Sequence, residues 1–403
     1  MTRRPMIGVG AIAAAVAVAL VYGLASPAPQ LLDRASGAPS PADTPASPSP
    51  TVRPIPKHEL FGFVPYWEMN GDIAAHLAKT PLTTLALFSV THTRTGALNT
   101  SQLGYKRITG SIGKQLIREA HDRGTAVQLV YSSFGTGRNE RFFGSLQIQD
   151  TTIEALVALV TRTGVDGINV DIEQLGIGLM PAYGSFVGRL RDALRRVHAK
   201  SLVSAATGAG PNGAPMAVAA NGAGADRIFM MGYDYHYAGS DVGASAPMDR
   251  RDGNERDLVW SLDLYETLGI PAGKTILGLP LYGMRWRVAG PELGAPRLGD
   301  GAIWVPADNP KFLAAPPAPP ELDPLEVVEF YAVAPTVSPG PGDSRATAGW
   351  QAIYVDSPRT LTPKLVLADD RGLAGAGFWA IGYERDLPGY REMMERFVAG
   401  DLK

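Results

Sequence analysis

Eight short apolar runs recur along the chain from residue 60 onward, and amphipathic stretches separate several of them. The runs lie near 60–64, 84–89, 126–131, 167–171, 202–207, 227–231, 275–279 and 376–380. Such alternation is typical of repeated β–α units around a parallel sheet. It predicts an α/β fold, a single (β/α)8 TIM barrel, while a doubly wound open sheet is the competing fold. The proline-rich interval 285–349 breaks the rhythm and predicts an insertion between strands 7 and 8.

The fourth run ends in polar side chains, within the segment GVDGINVDIEQ (164–174). Because alternate side chains of a strand point to the same face, Asn169, Asp171 and Glu173 should project together, and the aliphatic residues between them should face the other way. Burying two carboxylates and an amide in one small space costs free energy. Such a cluster is therefore rare at the end of a buried strand unless it performs chemistry. The segment therefore predicts an enzyme, with a cation-binding carboxylate cluster as the alternative.

The composition of the 403-residue chain limits which partners and cofactors it is predicted to bind. Lys and Arg total 37 against 39 Asp and Glu, which argues against nucleic acid as a partner and favours a neutral substrate. The chain has no cysteine, and its six histidines form no metal-binding pattern, so no metal and no organic cofactor are predicted. A GxGxxG match beginning at Gly208 contains Pro211 and lacks a ribose-binding acid at the expected distance, so it does not predict a dinucleotide site.

The first 57 residues differ in character from the rest. Arg3 and Arg4 precede an uncharged, largely apolar run, 6–25, which is about long enough to span a bilayer, yet Gly23 and Ala25 suit a signal peptidase. Residues 1–25 are thus predicted to be a membrane anchor or a signal peptide. Residues 26–57, with nine prolines, predict an extended linker. Residues 58–403 are predicted to be the catalytic barrel, extracellular or at the cell envelope.

The segment DGINVDIE resembles the DGxDxDxE signature of glycoside hydrolase family 18, the chitinases and their relatives. Asp166, Gly167, Asp171 and Glu173 match it, and Asn169 replaces the middle acidic residue. Four further segments resemble the family in the expected order: FGFVPYW, MGYDYHYAG, GLPLYGMRW and GAGFWAIGYE. The asparagine is similar to the branch that acts on spore cortex and peptidoglycan. The third run, VQLVYSSFGTG, departs from the SxGG pattern usual in chitinases.

Glycoside cleavage needs an acid, and Glu173 is the candidate because burial and the charge of Asp171 should raise its pKa. The resemblance implies that the substrate's own N-acetyl carbonyl attacks the anomeric carbon, with retention of configuration. On that model Asp171 orients the acetamido N–H, Tyr233 donates to the acetamido oxygen, and Asn169 hydrogen-bonds Asp171. The residues that the resemblance or their position assigns to sugar binding are Asp234, Tyr282, Trp379, Tyr66 and Trp67.

Together these features predict a glycosidase that cleaves β-1,4-linked N-acetylglucosamine glycans. Peptidoglycan is the first expected substrate because of Asn169 and the third run, and chitin oligosaccharides are the second. A lectin that binds N-acetylated sugars on the same barrel without cutting them is the alternative. Glu173 argues against that alternative, since binding alone does not need a buried acid.

Overall fold

The computed structural model describes residues 56–335 and 349–402. Eight parallel strands close into a barrel in the order β1-β13-β7-β6-β5-β4-β3-β2. The barrel strands are β1 (Glu59–Pro65), β2 (Thr84–Val90), β3 (Ala126–Phe134), β4 (Gly167–Glu173), β5 (Leu202–Gly208), β6 (Arg227–Met231), β7 (Thr275–Pro280) and β13 (Gly375–Trp379). Each run predicted from the sequence is one of these strands. The predicted (β/α)8 barrel is confirmed, and the open sheet is excluded.

A second sheet lies between β7 and β13 in sequence, so the predicted insertion between strands 7 and 8 is confirmed. Its five antiparallel strands have the order β10-β11-β12-β8-β9. They are β8 (Gly283–Val288), β9 (Ala302–Trp304), β10 (Glu321–Asp323), β11 (Val328–Val333) and β12 (Trp350–Val355). This sheet extends beyond 285–349 at both ends, because its first and last strands pair with each other across the insertion.

Helices surround the barrel and follow most of its strands. In the described residues they are α1 (Gly71–Leu77), α2 (Leu103–Thr109), α3 (Ser111–Asp122), α4 (Thr136–Phe143), α5 (Leu146–Thr163), α6 (Met180–Val197), α7 (Ala214–Gly222), α8 (Leu258–Thr267), α9 (Pro310–Ala314), α10 (Pro358–Asp370) and α11 (Tyr390–Ala399). The short α9 lies in the insertion. The others pack apolar faces against the outside of the strands and form the main core with them.

Helix α5, which leads into the fourth strand, begins earlier than its sequence suggests. A capping pattern predicts the first turn at Thr151, but the helix begins at Leu146, after Ser145 as N-cap. Thr151 instead lies inside the helix and donates its hydroxyl to the carbonyl of Gln147 at 2.9 Å, a bond that threonine readily makes within helices. The helix ends before Gly164, which has a φ of 75° and caps it, as glycine commonly does.

Apolar side chains fill the inside of the barrel. Phe61 and Phe63 of β1 are buried with Val130, Phe229 and Ile276 from three other strands. The rings of Phe63 and Phe229 meet edge to face with centroids 4.8 Å apart. Because this interior is packed, a ligand cannot bind inside it, and the usual place for a site in such a barrel is above it, where the carboxyl ends of the strands and the following loops lie.

The predicted N-terminal segments lie largely outside the described residues. Residues 1–25 lie outside, and so does the predicted linker 26–57 up to residue 55. The stretch 336–348 of the insertion lies outside as well. Within 56–335 and 349–402, none of the helices is both long enough and apolar enough to cross a bilayer.

Candidate active site

Three polar side chains line one face of β4 at the carboxyl end of the barrel. Asn169 and Asp171 are buried, and Glu173, the last residue of the strand, is partly exposed. The aliphatic residues between them are buried in the core between the strands and the helices. The strand thus places the amide and both carboxyl groups on the inner side, as its alternation predicts.

The amide of Asn169 points to the neighbouring strand. Its Nδ2 donates to Ser204 Oγ at 2.7 Å, and Ser204 Oγ donates in turn to Gln128 Oε1 at 2.6 Å. This bond replaces the predicted one to Asp171 because the register of the sheet pairs Asn169 directly with Ser204. Asp171 Oδ1 is left without a hydrogen-bond partner among the described residues, so it is available to a substrate N–H.

Burial raises the pKa of both carboxyl groups on β4. For Asp171 the negative charge of Glu173 adds to the effect of burial, and the pKa lies well above its ordinary value. For Glu173, burial and then the charge of Asp234 raise the pKa to about 7. The raised pKa of Glu173 agrees with the prediction from the sequence. The prediction names Asp171 as the negative charge responsible, whereas the structure gives this role to Asp234. A carboxyl group with this pKa can hold and donate a proton near neutrality.

The loop after β6 forms the opposite wall of the site. Tyr282 donates its hydroxyl to Asp234 Oδ1, and the backbone N–H of Asp234 donates to Ser245 Oγ at 3.1 Å. Asp234 has a φ of 61°, in the left-handed region that a residue with a side chain rarely adopts, so these bonds hold a strained residue in place. Burial raises the pKa of Tyr233 well above its ordinary value, and its hydroxyl therefore remains a donor.

The insertion supports this loop through one buried carboxylate. Glu326, between β10 and β11, accepts the backbone N–H of Ala244 at 2.6 Å and that of Arg251 at 3.2 Å. It is only 1% exposed, and His236 Nε2 lies 3.5 Å away. Sequence reasoning did not single out Glu326 or Ser245. No sequence motif marks either residue. Glu326 contacts the loop only through the fold, since it is 82 residues from Ala244.

Aromatic side chains form the floor beside these polar groups. Trp379, at the end of β13, packs edge to face against Phe88 with centroids 4.8 Å apart and lies 6.3 Å from Trp67. Trp67 is 48% exposed, and its Nε1 donates to the hydroxyl of Tyr383 at 3.2 Å. Tyr66 packs against the outer core and meets the edge of Trp67. The structure thus brings Trp67 and Trp379 together, and Tyr66 supports Trp67.

The inner faces of β3 and β5 and the segment after β13 also supply polar groups that the sequence does not single out. Gln128 and Ser204 occupy inward-facing strand positions, where polar residues are unusual and could have been noticed. Tyr383 follows Trp379 within the same motif segment. In the parts of the chain that the structure describes, no group of three or more His, Cys, Asp or Glu side chains could hold a metal ion.

The model of the glycosyl hydrolases of family 18 matches residues 60–384, from the first barrel strand past the last. The chain belongs to this family. The resemblance stated from the sequence motifs is therefore confirmed over the whole barrel and its insertion.

Individual relatives of this family 18 chain are distant. It is 26% identical over 198 residues to the oviduct-specific glycoprotein of Ovis aries, and the matched stretch covers 45% of this chain and 37% of that protein. The spore cortex-lytic enzyme of Bacillus cereus has a TM-score of 0.65 at 17% identity, covering 84% of this chain and 74% of that one. A Cycas revoluta chitinase in complex with (GlcNAc)3 has a TM-score of 0.69 at 16% identity, covering 86% and 100%. At these identities the structures share the fold.

Proposed function

We propose that this protein is a glycosidase that cleaves β-1,4-linked N-acetylglucosamine glycans with retention of configuration. The observation that carries the proposal is the pair of carboxyl groups on the inner face of β4. Glu173 has a pKa of about 7, and Asp171 presents a buried oxygen without a protein partner. One group can donate a proton, and the other can accept a hydrogen bond from the substrate.

The geometry suits a reaction in which the substrate supplies the nucleophile. Glu173 donates its proton to the glycosidic oxygen as the bond to the anomeric carbon breaks, and the acetamido carbonyl oxygen bonds to that carbon. Asp171 accepts the acetamido N–H and offsets the positive charge of the resulting cyclic intermediate, while Tyr233 donates to the acetamido oxygen. Water then attacks the same carbon and gives a proton to Glu173. Two inversions retain the configuration.

Peptidoglycan is the substrate we propose first, and chitin oligosaccharides are second. Asn169 in place of an acidic residue and the departure of β3 from the chitinase pattern support this order. The shared fold with a cortex-lytic enzyme is consistent with it. Trp67 and Trp379 would offer apolar ring faces to the pyranose rings, as aromatic side chains commonly do at sugar sites.

Digestion tests the proposed activity directly. Purified peptidoglycan and chitin oligomers are incubated with the full-length chain and with Glu173→Gln, and the products are identified by mass spectrometry. We expect fragments ending in reducing N-acetylglucosamine, formed by the wild type alone. Binding of either glycan without cleavage would overturn the proposal in favour of a lectin.

The raised pKa of Glu173 predicts the pH dependence of the reaction. Glu173 must be protonated before it can donate, so kcat should fall about tenfold for each pH unit above about 7. Asp171 must be ionised to offset the cationic intermediate, so kcat should also fall in acid as Asp171 becomes protonated. Because the charge of Asp234 helps to raise this pKa, Asp234→Asn should move the fall in kcat to lower pH. The measurement is a pH profile of kcat, with the exposed Asp192→Asn on α6 as the matched control. An unchanged midpoint in Asp234→Asn would contradict this electrostatic coupling.

A further inference from the structure

A side chain from a helix outside the barrel holds the carboxyl end of β4. Asn139, in the first turn of α4, donates its side-chain amide to the backbone carbonyl of Glu173 at 2.5 Å. Asn139 is completely buried, whereas Glu173 is partly exposed. Asn139 thus contacts the backbone of the candidate acid without taking part in the reaction proposed above.

The sheet ends at this carbonyl. Phe134 and Glu173 are the last pair in register between β3 and β4. The residues that follow them, Gly135 and Gln174, have φ values of 100° and 60°, so both chains turn away from the sheet. The backbone of β3 therefore does not continue the ladder beyond this pair. A side-chain amide supplies the donor to the carbonyl of Glu173 instead.

Two partners fix the orientation of the Asn139 amide. A carbonyl oxygen can only accept a hydrogen bond, so the Nδ2 end of the amide must face Glu173. The Oδ1 end accepts the hydroxyl of Ser133 at 2.7 Å, and Ser133 Oγ accepts Arg138 Nε at 3.2 Å. Ser133 is buried as well, and it lies in the segment that departs from the chitinase pattern. A chain of hydrogen bonds thus runs from β3 and α4 to the strand that carries the acid.

We infer that Asn139, oriented by Ser133, is a positioning residue that keeps the carboxyl group of Glu173 directed at the glycosidic oxygen. The inference rests on the proposed function, in which Glu173 is the acid. The register between β4 and β5 ends at Asp171, before Glu173, so restraint of this strand end comes from the side of β3 and α4. A general acid must lie within hydrogen-bonding distance of the atom that it protonates, and a displacement of about 1 Å can cost about a hundredfold in rate.

The test compares two substrates that differ in how much they need the acid. Phenyl and dinitrophenyl glycosides of chitobiose carry the same sugar, but dinitrophenolate departs without a proton, whereas phenolate is a poor leaving group until it is protonated. The measured quantity is kcat/KM of the full-length protein, which covers the steps up to departure of the leaving group. Asn139→Ala removes both hydrogen bonds of the amide. It should lower kcat/KM about tenfold or more for the phenyl glycoside and less than about twofold for the dinitrophenyl glycoside.

A second variant and a control make the comparison independent of stability. Ser133→Ala leaves Asn139 in place but removes the hydroxyl that orients its amide, so we expect the same selective loss at a smaller size. Gln149→Ala is the matched control, since this buried amide donates to the carbonyls of the last two residues of α4. It weakens the same helix at its other end. Any change in kcat/KM that it causes should be equal for the two glycosides.

The possible outcomes separate this inference from the proposed function. An equal loss for both glycosides in Asn139→Ala, or no loss for either, would overturn the positioning role. Hydrogen–deuterium exchange needs no turnover, and the backbone amides of 172–176 should exchange faster in Asn139→Ala than in the wild type or Gln149→Ala. Unchanged exchange would overturn the inference. Failure of the wild type to cleave any glycan or glycoside would overturn the hydrolase proposal, while exchange would still decide whether Asn139 holds the end of β4.

Discussion

Glu173→Gln is expected to lower kcat on N-acetylated glycans by about a thousandfold. Glutamine has nearly the same shape as the protonated acid but cannot give up a proton at the glycosidic oxygen. The partly exposed position of Glu173 at the end of β4 means that the substitution should leave the floor of the cleft intact. Binding should therefore change only a few-fold. Initial rates of reducing-end release and calorimetric titration measure the two effects separately.

A matched variant controls for the loss of a glutamate as such. Glu154→Gln removes an exposed carboxyl group from α5, on the outside of the barrel, and should leave kcat unchanged. If Glu173→Gln retained turnover within tenfold of the wild type, another group would have to be the acid. The assignment of Glu173 would then be withdrawn, although the family membership would stand.

Asp171→Asn should lower kcat by about a hundredfold or more while KM changes little. The buried Oδ1 is the oxygen free to accept the acetamido N–H, and an asparagine can present a donor there instead. It also lacks the negative charge that offsets the cationic intermediate. Steady-state kinetics on N-acetylated oligosaccharides measure the effect, with Asp192→Asn as the surface control. Unchanged kinetics would show that Asp171 does not assist the acetamido group.

The barrel could be predicted from the sequence because each of its strands is a short apolar run with clear ends. Parallel strands are buried on both faces, so their sequences stand out from the amphipathic helices between them. The side-chain alternation of β4 is equally local, and it places Asn169, Asp171 and Glu173 on one face without further information. The five ordered motif segments then identify the family.

Contacts between distant parts of the chain could not be predicted in this way. Asn169 bonds Ser204 because of the register between β4 and β5, which no single segment reveals. Besides burial, the charge of Asp234 raises the pKa of Glu173, and Asp234 lies on the loop after β6, far from Glu173 in sequence.

The bond between Glu326 and the β6 loop limits how this enzyme could be simplified or recombined. A minimal barrel without the five-stranded sheet would lose this carboxylate, and the amides of Ala244 and Arg251 would lose their charged acceptor. Ser245, which follows Ala244 and accepts the backbone N–H of Asp234, would then hold Asp234 less firmly. The insertion is therefore not an interchangeable module. Exchange with a homologue would have to transfer the sheet and the loop as one unit.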